Sequence, residues 1–146
     1  MVITTLNNIT PDLPDLKGCV CTRLVCQQYW YNGELEEEAN VTFLQVDGKQ
    51  WHSFLIDCGE PFWKVVDKPD EWNTSPAEEF HYPQVELTER WGLFGRTIQA
   101  VKFVEIGMAS EFRVLFAGDI ALVLHDENDN NTLFVRPVPT TVDEAV

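Results

Sequence analysis

The sequence is poor in positive charge. Ten Lys and Arg residues stand against 24 Asp and Glu residues, so the 146-residue chain has a formal net charge of −14. Binding to a nucleic-acid backbone or to an anionic membrane surface requires clustered Lys and Arg. The charge balance therefore argues against nucleic acid and membrane as partners, and it favours a basic protein.

Long apolar runs and a signal-peptide pattern are missing as well. Nowhere do 18 apolar residues follow one another, and residues 1–8 contain neither a positive charge nor a signal-length apolar run. We therefore expect a cytoplasmic protein without a transmembrane helix. Phosphate-binding loops and dinucleotide fingerprints are absent too, so no cofactor is predicted.

The four cysteines do not have the spacing of a zinc site. Cys19, Cys21 and Cys26 follow a C-x-C-x4-C pattern, and Cys58 lies far along the chain. In a reducing compartment these residues are expected to be free thiols packed in the core, with a disulfide or a metal site as alternatives. Acidic residues surround Cys58, and their charges disfavour a reactive thiolate there.

The content of apolar residues excludes a disordered chain. Hydrophobic residues make up 45% of the sequence and aromatic residues 12%, and the length suits one domain. We expect an irregular N-terminal lead-in over residues 1–17 and a single β-rich domain over residues 18–136. A flexible acidic tail is expected over residues 137–146.

Helical periodicity is almost absent, whereas turn signals recur. Asp47-Gly48 predicts a type I′ turn between two strands. In the register of that turn Leu44 faces Trp51, and His52 lies on an apolar face as a core histidine rather than a catalytic one. The other predicted strands are residues 19–31, 62–66, 97–106 and 132–136, together with a second hairpin.

The second hairpin pairs residues 112–116 with residues 120–125 around a turn at residues 117–119. The expected register places Phe112 on the same face as Val123. Apolar residues occur on both faces of these strands, as is typical of central strands that are covered on both sides.

Three further segments complete the predicted fold. Residues 34–38 are acidic and are expected to form a loop, residues 67–84 contain three prolines and predict a long loop, and residues 88–91 are the best helix candidate. The fold class is therefore mainly β. It is an antiparallel β-sandwich or a partly open barrel built from hairpins and meanders, with one or two short helices.

One segment resembles a calcium-binding loop in its spacing. Asp126, Asn128 and Asn130 place oxygen ligands at alternate positions. However, Asn131 stands where such loops need glycine, and Pro137 stands where they need glutamate. A plain loop is the better interpretation, with weak calcium binding as the alternative.

Acidic residues and aromatic residues occur close together around residues 29–38 and 67–82. Aromatic anchors with a charged rim are used by protein interfaces for affinity and steered association. The alternative is a solvated acidic face, with Trp72 and Tyr82 packed on the body of the protein. The predicted partner-binding residues are Tyr31, Glu34, Glu36, Glu37, Glu38, Asp70, Glu71, Trp72, Glu78, Glu79 and Tyr82.

The sequence favours a non-catalytic acidic protein that binds a basic protein. Inhibitors of nucleases, including immunity proteins, share this composition, which is an analogy and no more. One alternative is a small-molecule-binding β-barrel or an enzyme, with His52 and Gln45 in an internal cavity. Another is a self-associating accessory domain, a homo-oligomer in which a second copy covers the sheet face that carries Trp51 and Leu44.

Overall fold

The computed structural model describes residues 3–5 and 13–138. In this part of the chain there is no helix, and accordingly none that is long and apolar enough to cross a membrane. The strands are β1 (Ile3–Thr5), β2 (Cys21–Tyr31), β3 (Glu34–Val46), β4 (Gln50–Asp57), β5 (Glu60–Val66), β6 (Phe80–His81), β7 (Gln84–Glu86), β8 (Ile98–Ile106), β9 (Ala109–Phe116), β10 (Ile120–Glu127) and β11 (Asn130–Pro137).

These strands form two antiparallel sheets. Sheet I has the order β5-β4-β3-β2-β6, and β7 also pairs with β2. Sheet II has the order β1-β8-β9-β10-β11. Strands β2 to β5 and strands β8 to β11 each run as a meander, so the mainly β, antiparallel class predicted from the sequence is confirmed, and the sheets do not close into a barrel.

The two sheets share one hydrophobic core. Leu44 and Phe54 from sheet I belong to the same buried cluster as Phe112 and Leu122 from sheet II. The rings of Phe54 and Phe112 meet edge to face, with centroids 5.6 Å apart. Burial of this apolar surface, at about 25 cal/mol per Å² removed from water, is the main force that holds the sheets together.

The outer face of sheet I carries a second, smaller apolar cluster. Val25, Phe43 and Trp51 are buried there, with Val41 and Val66 packed against them. Strands β5 and β6 lie at opposite edges of this sheet, so the chain between them, residues 67–79, must cross one face. The inner face is filled by the shared core, which leaves the outer face for the crossing.

A hydrogen bond confirms this path. Gln84 pairs with Gln27, which lies two residues from Val25 and therefore on the same outer face. The side-chain Nε2 of Gln84 donates to the carbonyl oxygen of Asp70 at 3.1 Å. Residues 67–79 thus form a strap over the outer face of sheet I.

The predicted register of the first hairpin is wrong by one residue. Leu44 pairs with His52, and Trp51 pairs with Gln45. Because strand side chains alternate between faces, this shift moves Leu44 into the core beside His52, whereas Trp51 stays on the outer face, so the two no longer share a face. The expected positive φ values are present at the turn, 54° at Asp47 and 65° at Gly48.

Contacts outside the hairpin account for this shift. The backbone N–H of Asp47 donates to the carbonyl oxygen of Val20 at 2.8 Å, and the Asp47 side chain accepts from the Val20 N–H at 2.9 Å. The turn is therefore tied to the chain that precedes β2, and three residues, 47–49, separate the strands.

The second hairpin is shifted in the same way. Phe112 pairs with Leu124 rather than sharing a face with Val123, because a full three-residue turn, 117–119, separates the strands. Both of its strands have buried residues on both faces and lie inside sheet II. The predicted central position is thus confirmed.

Three local predictions are corrected. Residues 34–38 are the first part of strand β3 and not a loop, because they pair with the end of β2. Residues 88–91 form turns and not a helix, since Gly92 and Gly95 adopt φ values of 66° and 81° directly afterwards. The long loop is interrupted by the short strands β6 and β7.

The chain ends are described in part. Strand β1 lies in the segment predicted to be irregular and pairs with β8, and Leu16 is buried in the shared core. The predicted flexible tail falls almost wholly on residues 139–146, which lie outside the described residues.

Asn131 connects the two sheets. Its side chain accepts from the Ile56 N–H at 3.1 Å and donates to the Ile56 carbonyl at 2.9 Å, so it takes the place of a strand partner. Strand β3 cannot supply this partner because its pairing with β4 ends at Thr42 and Phe54.

Replacement of Asn131 by Ala is therefore expected to lower the free energy of unfolding by about 2–4 kcal/mol, because two buried backbone groups of Ile56 lose their partners. Urea denaturation measures the effect. Asn130→Ala, at the exposed neighbouring position, is the control and should change stability by less than about 0.5 kcal/mol. Equal losses in both variants would contradict this role.

Candidate functional site

Five aromatic rings gather at one edge of sheet I. Tyr29 and Tyr31 project from the same face of β2, and Phe80 and Tyr82 lie beside them at β6. The Tyr31 and Phe80 ring centroids are 5.2 Å apart, as are those of Tyr29 and Tyr82. Trp72, from the strap, stacks on Tyr82 at 5.1 Å. Trp72, Tyr82 and Tyr29 therefore form a three-ring stack.

The strap holds these rings in place through backbone hydrogen bonds. The Tyr82 N–H donates to the carbonyl oxygen of Asn73 at 2.8 Å, and the Asn32 N–H donates to that of Glu79 at 2.8 Å. Asn73 has a φ of 51°, in the left-handed region that asparagine tolerates better than most residues. The turn at Asn73 brings Trp72 back over Tyr82.

Carboxylates surround the rings. Partial burial raises the pKa of the Tyr29 phenol above its ordinary value, and nearby Tyr82, Glu36 and Glu79 raise it further. Glu34 lies directly across the hairpin from Tyr31. We call this the acidic–aromatic surface, and it consists of Tyr29, Tyr31, Glu34, Glu36, Asp70, Glu71, Trp72, Glu79, Phe80 and Tyr82.

The segments that build this surface contain no cation. Neither residues 24–48 nor residues 69–89 include a Lys or an Arg. Negative charge on these segments is therefore not compensated by their own side chains, and it produces a field that attracts cations.

Nine of the eleven predicted partner-binding residues are exposed, and the other two, Glu37 and Tyr82, are half-buried. Glu37 is half-buried, and its Oε1 accepts from the Asn131 N–H at 2.7 Å, so its carboxylate takes part in the fold. Tyr82 is also half-buried, by the rings on either side of it. Tyr29 and Phe80 were missed, although Tyr29 follows from the alternation that places Tyr31 on this face. The exposed residues are Tyr31, Glu34, Glu36, Glu38, Asp70, Glu71, Trp72, Glu78 and Glu79.

A second polar cluster lies on the outer face of sheet II. The buried Glu111 accepts from Arg113 Nε at 2.9 Å and from His125 Nδ1 at 2.6 Å, and Arg136 lies at 3.5 Å. His125 Nε2 is 3.1 Å from Glu127. Every charge in this cluster has an opposite partner, as expected for a network that holds neighbouring strands together.

The network shifts the pKa values of its members. Burial alone would raise the pKa of Glu111, but hydrogen bonds from His125 and Arg113 bring it below the usual value. Partial burial alone would lower the pKa of His125, but hydrogen bonds to Glu111 and Glu127 bring it above the usual value. The charged forms of Glu111 and His125 therefore stabilise each other.

The core interpretation of His52 is confirmed. His52 is buried, Trp63 Nε1 donates to its Nδ1 at 2.8 Å, and its Nε2 is 3.0 Å from Gln50 Oε1. Burial lowers the pKa of the imidazole, which disfavours its charged form. Gln45 points to the opposite face of the sheet, because Leu44 shares the face of His52. His52 and Gln45 therefore do not line one internal cavity, contrary to what the small-molecule-binding alternative expected.

His81 is also buried, and its ring stacks on that of Trp30 with centroids 5.7 Å apart. Its Nδ1 has no hydrogen-bond partner within the part of the chain that the structure describes. His81 pairs with Trp30, one residue out of phase with Tyr29 and Tyr31, so it faces away from the acidic–aromatic surface.

The calcium-like segment is a tight hairpin. Asn128 and Asp129 adopt φ values of 56° and 60° between β10 and β11, as in a type I′ turn. Asp126 accepts from the Asn131 side chain at 3.1 Å. Asp126 and Asn131 are therefore both engaged in the fold. Asp129 instead lies with Asp57 and Cys58 in an exposed group whose side-chain atoms are within 4.8 Å of one another.

All four cysteines are free thiols. Cys21 and Cys26 are buried as predicted, and burial raises the pKa of each to about 12. Cys58 is exposed, so the core interpretation does not apply to it. The carboxylates of Asp129 and Asp57 raise the pKa of Cys58, as its acidic sequence context predicts.

The His125 cluster predicts a pH-dependent contribution to stability. Because the pKa of His125 is raised in the folded state, its contribution is complete below the unfolded value of about 6.5 and is lost as pH rises through the folded value. We expect His125→Gln to lose about 1 kcal/mol of unfolding free energy near pH 5.5 and less at pH 8.5. Urea denaturation at both pH values tests this.

Arg90→Gln, at an exposed position, is the matched control because it also removes one positive charge. Its effect on stability should be the same at pH 5.5 and at pH 8.5. A His125→Gln loss that grows with pH would contradict the ion-pair interpretation.

The chain was compared with protein-family models, curated proteins and solved structures. No family model, curated protein or solved structure matches it. The function is therefore argued from the geometry and charge of the sites described above.

Proposed function

We propose that this is a non-catalytic cytoplasmic protein that binds a basic protein partner through its acidic–aromatic surface. The observation that carries the proposal is the joining of five rings and several carboxylates from two segments without a Lys or an Arg. Nuclease inhibitors and immunity proteins are likewise small and acidic, and only this similarity in size and charge is used here.

Exposure of the rings supports this function. Trp72 is 60% exposed, Phe80 44% and Tyr31 38%. Large aromatic side chains at the surface provide the anchors that dominate interface energetics, and charged groups around them accelerate association. The Trp72 stack is held by the strap, so little ordering of this region is needed when a partner binds.

The alternative of self-association has less support. Leu44 lies in the shared core, and Trp51 is buried beneath its neighbours on the outer face of sheet I. These two side chains therefore do not form an exposed apolar patch that a second copy could cover. Two chains of charge −14 also repel each other unless their contact excludes the acidic regions.

Reversal of two charges tests the proposal. Glu36→Lys with Glu79→Lys should lower affinity for the basic partner by at least about tenfold, because rim attraction becomes repulsion. Thermal stability should change little, since both side chains are exposed. The partner is obtained by affinity capture from native lysate after nuclease treatment, and its affinity is then measured with purified proteins at two salt concentrations.

Glu60→Lys with Glu89→Lys is the matched control, with the same change of charge at exposed positions outside the surface. The control pair should reduce affinity far less than the pair at the surface. If both pairs lowered the affinity equally, the loss would come from net charge alone, and a localised site would be contradicted.

A further inference from the structure

We propose that the acidic–aromatic surface selects arginine over lysine in its partner, by stacking a guanidinium group on the exposed face of Trp72, the outermost ring of the Trp72–Tyr82–Tyr29 stack. This inference rests on the proposed function and specifies the chemistry of the ligand. It follows from the ring geometry, from the adjacent carboxylates and from the way this protein positions two of its own arginines.

The ring stack presents flat π surfaces. The planes of Trp72 and Tyr82 differ by 28° and those of Tyr82 and Tyr29 by 19°. Trp72 is the outermost ring and the most exposed of the three. A guanidinium group is planar and weakly hydrated, so it stacks on such a ring with little loss of solvation, whereas an ammonium group is compact and strongly hydrated.

Carboxylates occur at both ends of the ring stack. Glu36 and Glu79 are close enough to Tyr29 to raise the pKa of its phenol, and Asp70 and Glu71 directly precede Trp72. A guanidinium presents five N–H donors in a fixed fork and bonds a carboxylate with two of them. Ring and carboxylate together therefore fit arginine better than lysine.

The fold uses the same arrangement internally, on the same face of sheet I. The guanidinium of Arg23 lies 5.3 Å from the centroid of Trp51, while its Nε donates to Glu86 at 2.9 Å and its terminal nitrogen at 2.5 Å. Here one guanidinium group lies over a tryptophan ring and also donates hydrogen bonds to a carboxylate.

A second case occurs on sheet II. Arg136 lies 6.0 Å from the centroid of Phe134 and 3.5 Å from the Glu111 carboxylate. Neither of these arginines uses a ring of the acidic–aromatic surface. The segments that carry Trp72 and its neighbours contain no arginine to fill the equivalent position, so a partner would supply it.

Two peptides of equal length and charge are the probes, one alternating arginine with glycine and the other lysine with glycine. Their affinities are measured by isothermal titration calorimetry at one ionic strength, with the full chain. We expect the arginine peptide to bind roughly two- to fivefold more tightly for each stacked guanidinium. Trp72→Leu should remove this preference and leave the affinity of the lysine peptide nearly unchanged.

Two control variants separate stacking from general damage. Phe62→Leu removes an exposed ring from β5, outside the surface, and should keep the preference for arginine. Trp72→Tyr retains a π face at the site and should keep most of the preference. Thermal melting of each variant verifies that the chain is folded before affinities are compared.

The outcomes separate this inference from the proposed function. Equal binding of both peptides, weakened by Glu36→Lys with Glu79→Lys, would overturn the selection of arginine and leave the acidic docking surface in place. An arginine preference unchanged in Trp72→Leu would also overturn it. Failure of both peptides to bind would overturn the inference together with the proposed docking of basic segments.

Discussion

The crossing of sheet I by the strap is the constraint on which the surface of this protein depends. Strands β5 and β6 lie at opposite edges of the sheet, and the inner face is closed by sheet II, so residues 67–79 have only the outer face to cross. The crossing lies over the face where Val25 and Trp51 are buried. It also delivers Trp72 to the stack on Tyr82, so one topological requirement both places the strap on the outer face and brings Trp72 to the rings of β2 and β6.

A second constraint connects the acidic strand to sheet II. Glu37 accepts from the backbone of Asn131, and the side chain of Asn131 completes the hydrogen bonding of Ile56. The acidic stretch is thereby held as a strand, with Glu36 and Glu38 exposed on either side of Glu37. The Glu37 carboxylate thus takes part in the fold, whereas those of its neighbours remain exposed.

Local signals were sufficient to predict the class of fold and most of the strands. Turn residues such as Asp47-Gly48 and long β-favouring runs depend on backbone preferences within a few residues. Strand register was not predictable in this way, because the turn at Asp47 is set by hydrogen bonds to Val20, which lies 27 residues earlier. An error of one residue placed Leu44 and Trp51 on one face of the sheet, whereas they lie on opposite faces, which shows how strongly a sheet depends on distant contacts.

The sequence by itself determined the charge of the protein, its mainly β character and the two segments free of Lys and Arg, since these follow from composition and short-range preferences. Only the tertiary structure decided which acidic residues take part in the fold and which rings meet. Tyr29, Trp72 and Tyr82 come from a strand, a strap and the chain after β6. The stacking of Tyr29 on Tyr82 depends on strand pairings between residues more than 40 positions apart. Such pairings arise from the shared core and the order of the strands, which no short stretch of sequence contains.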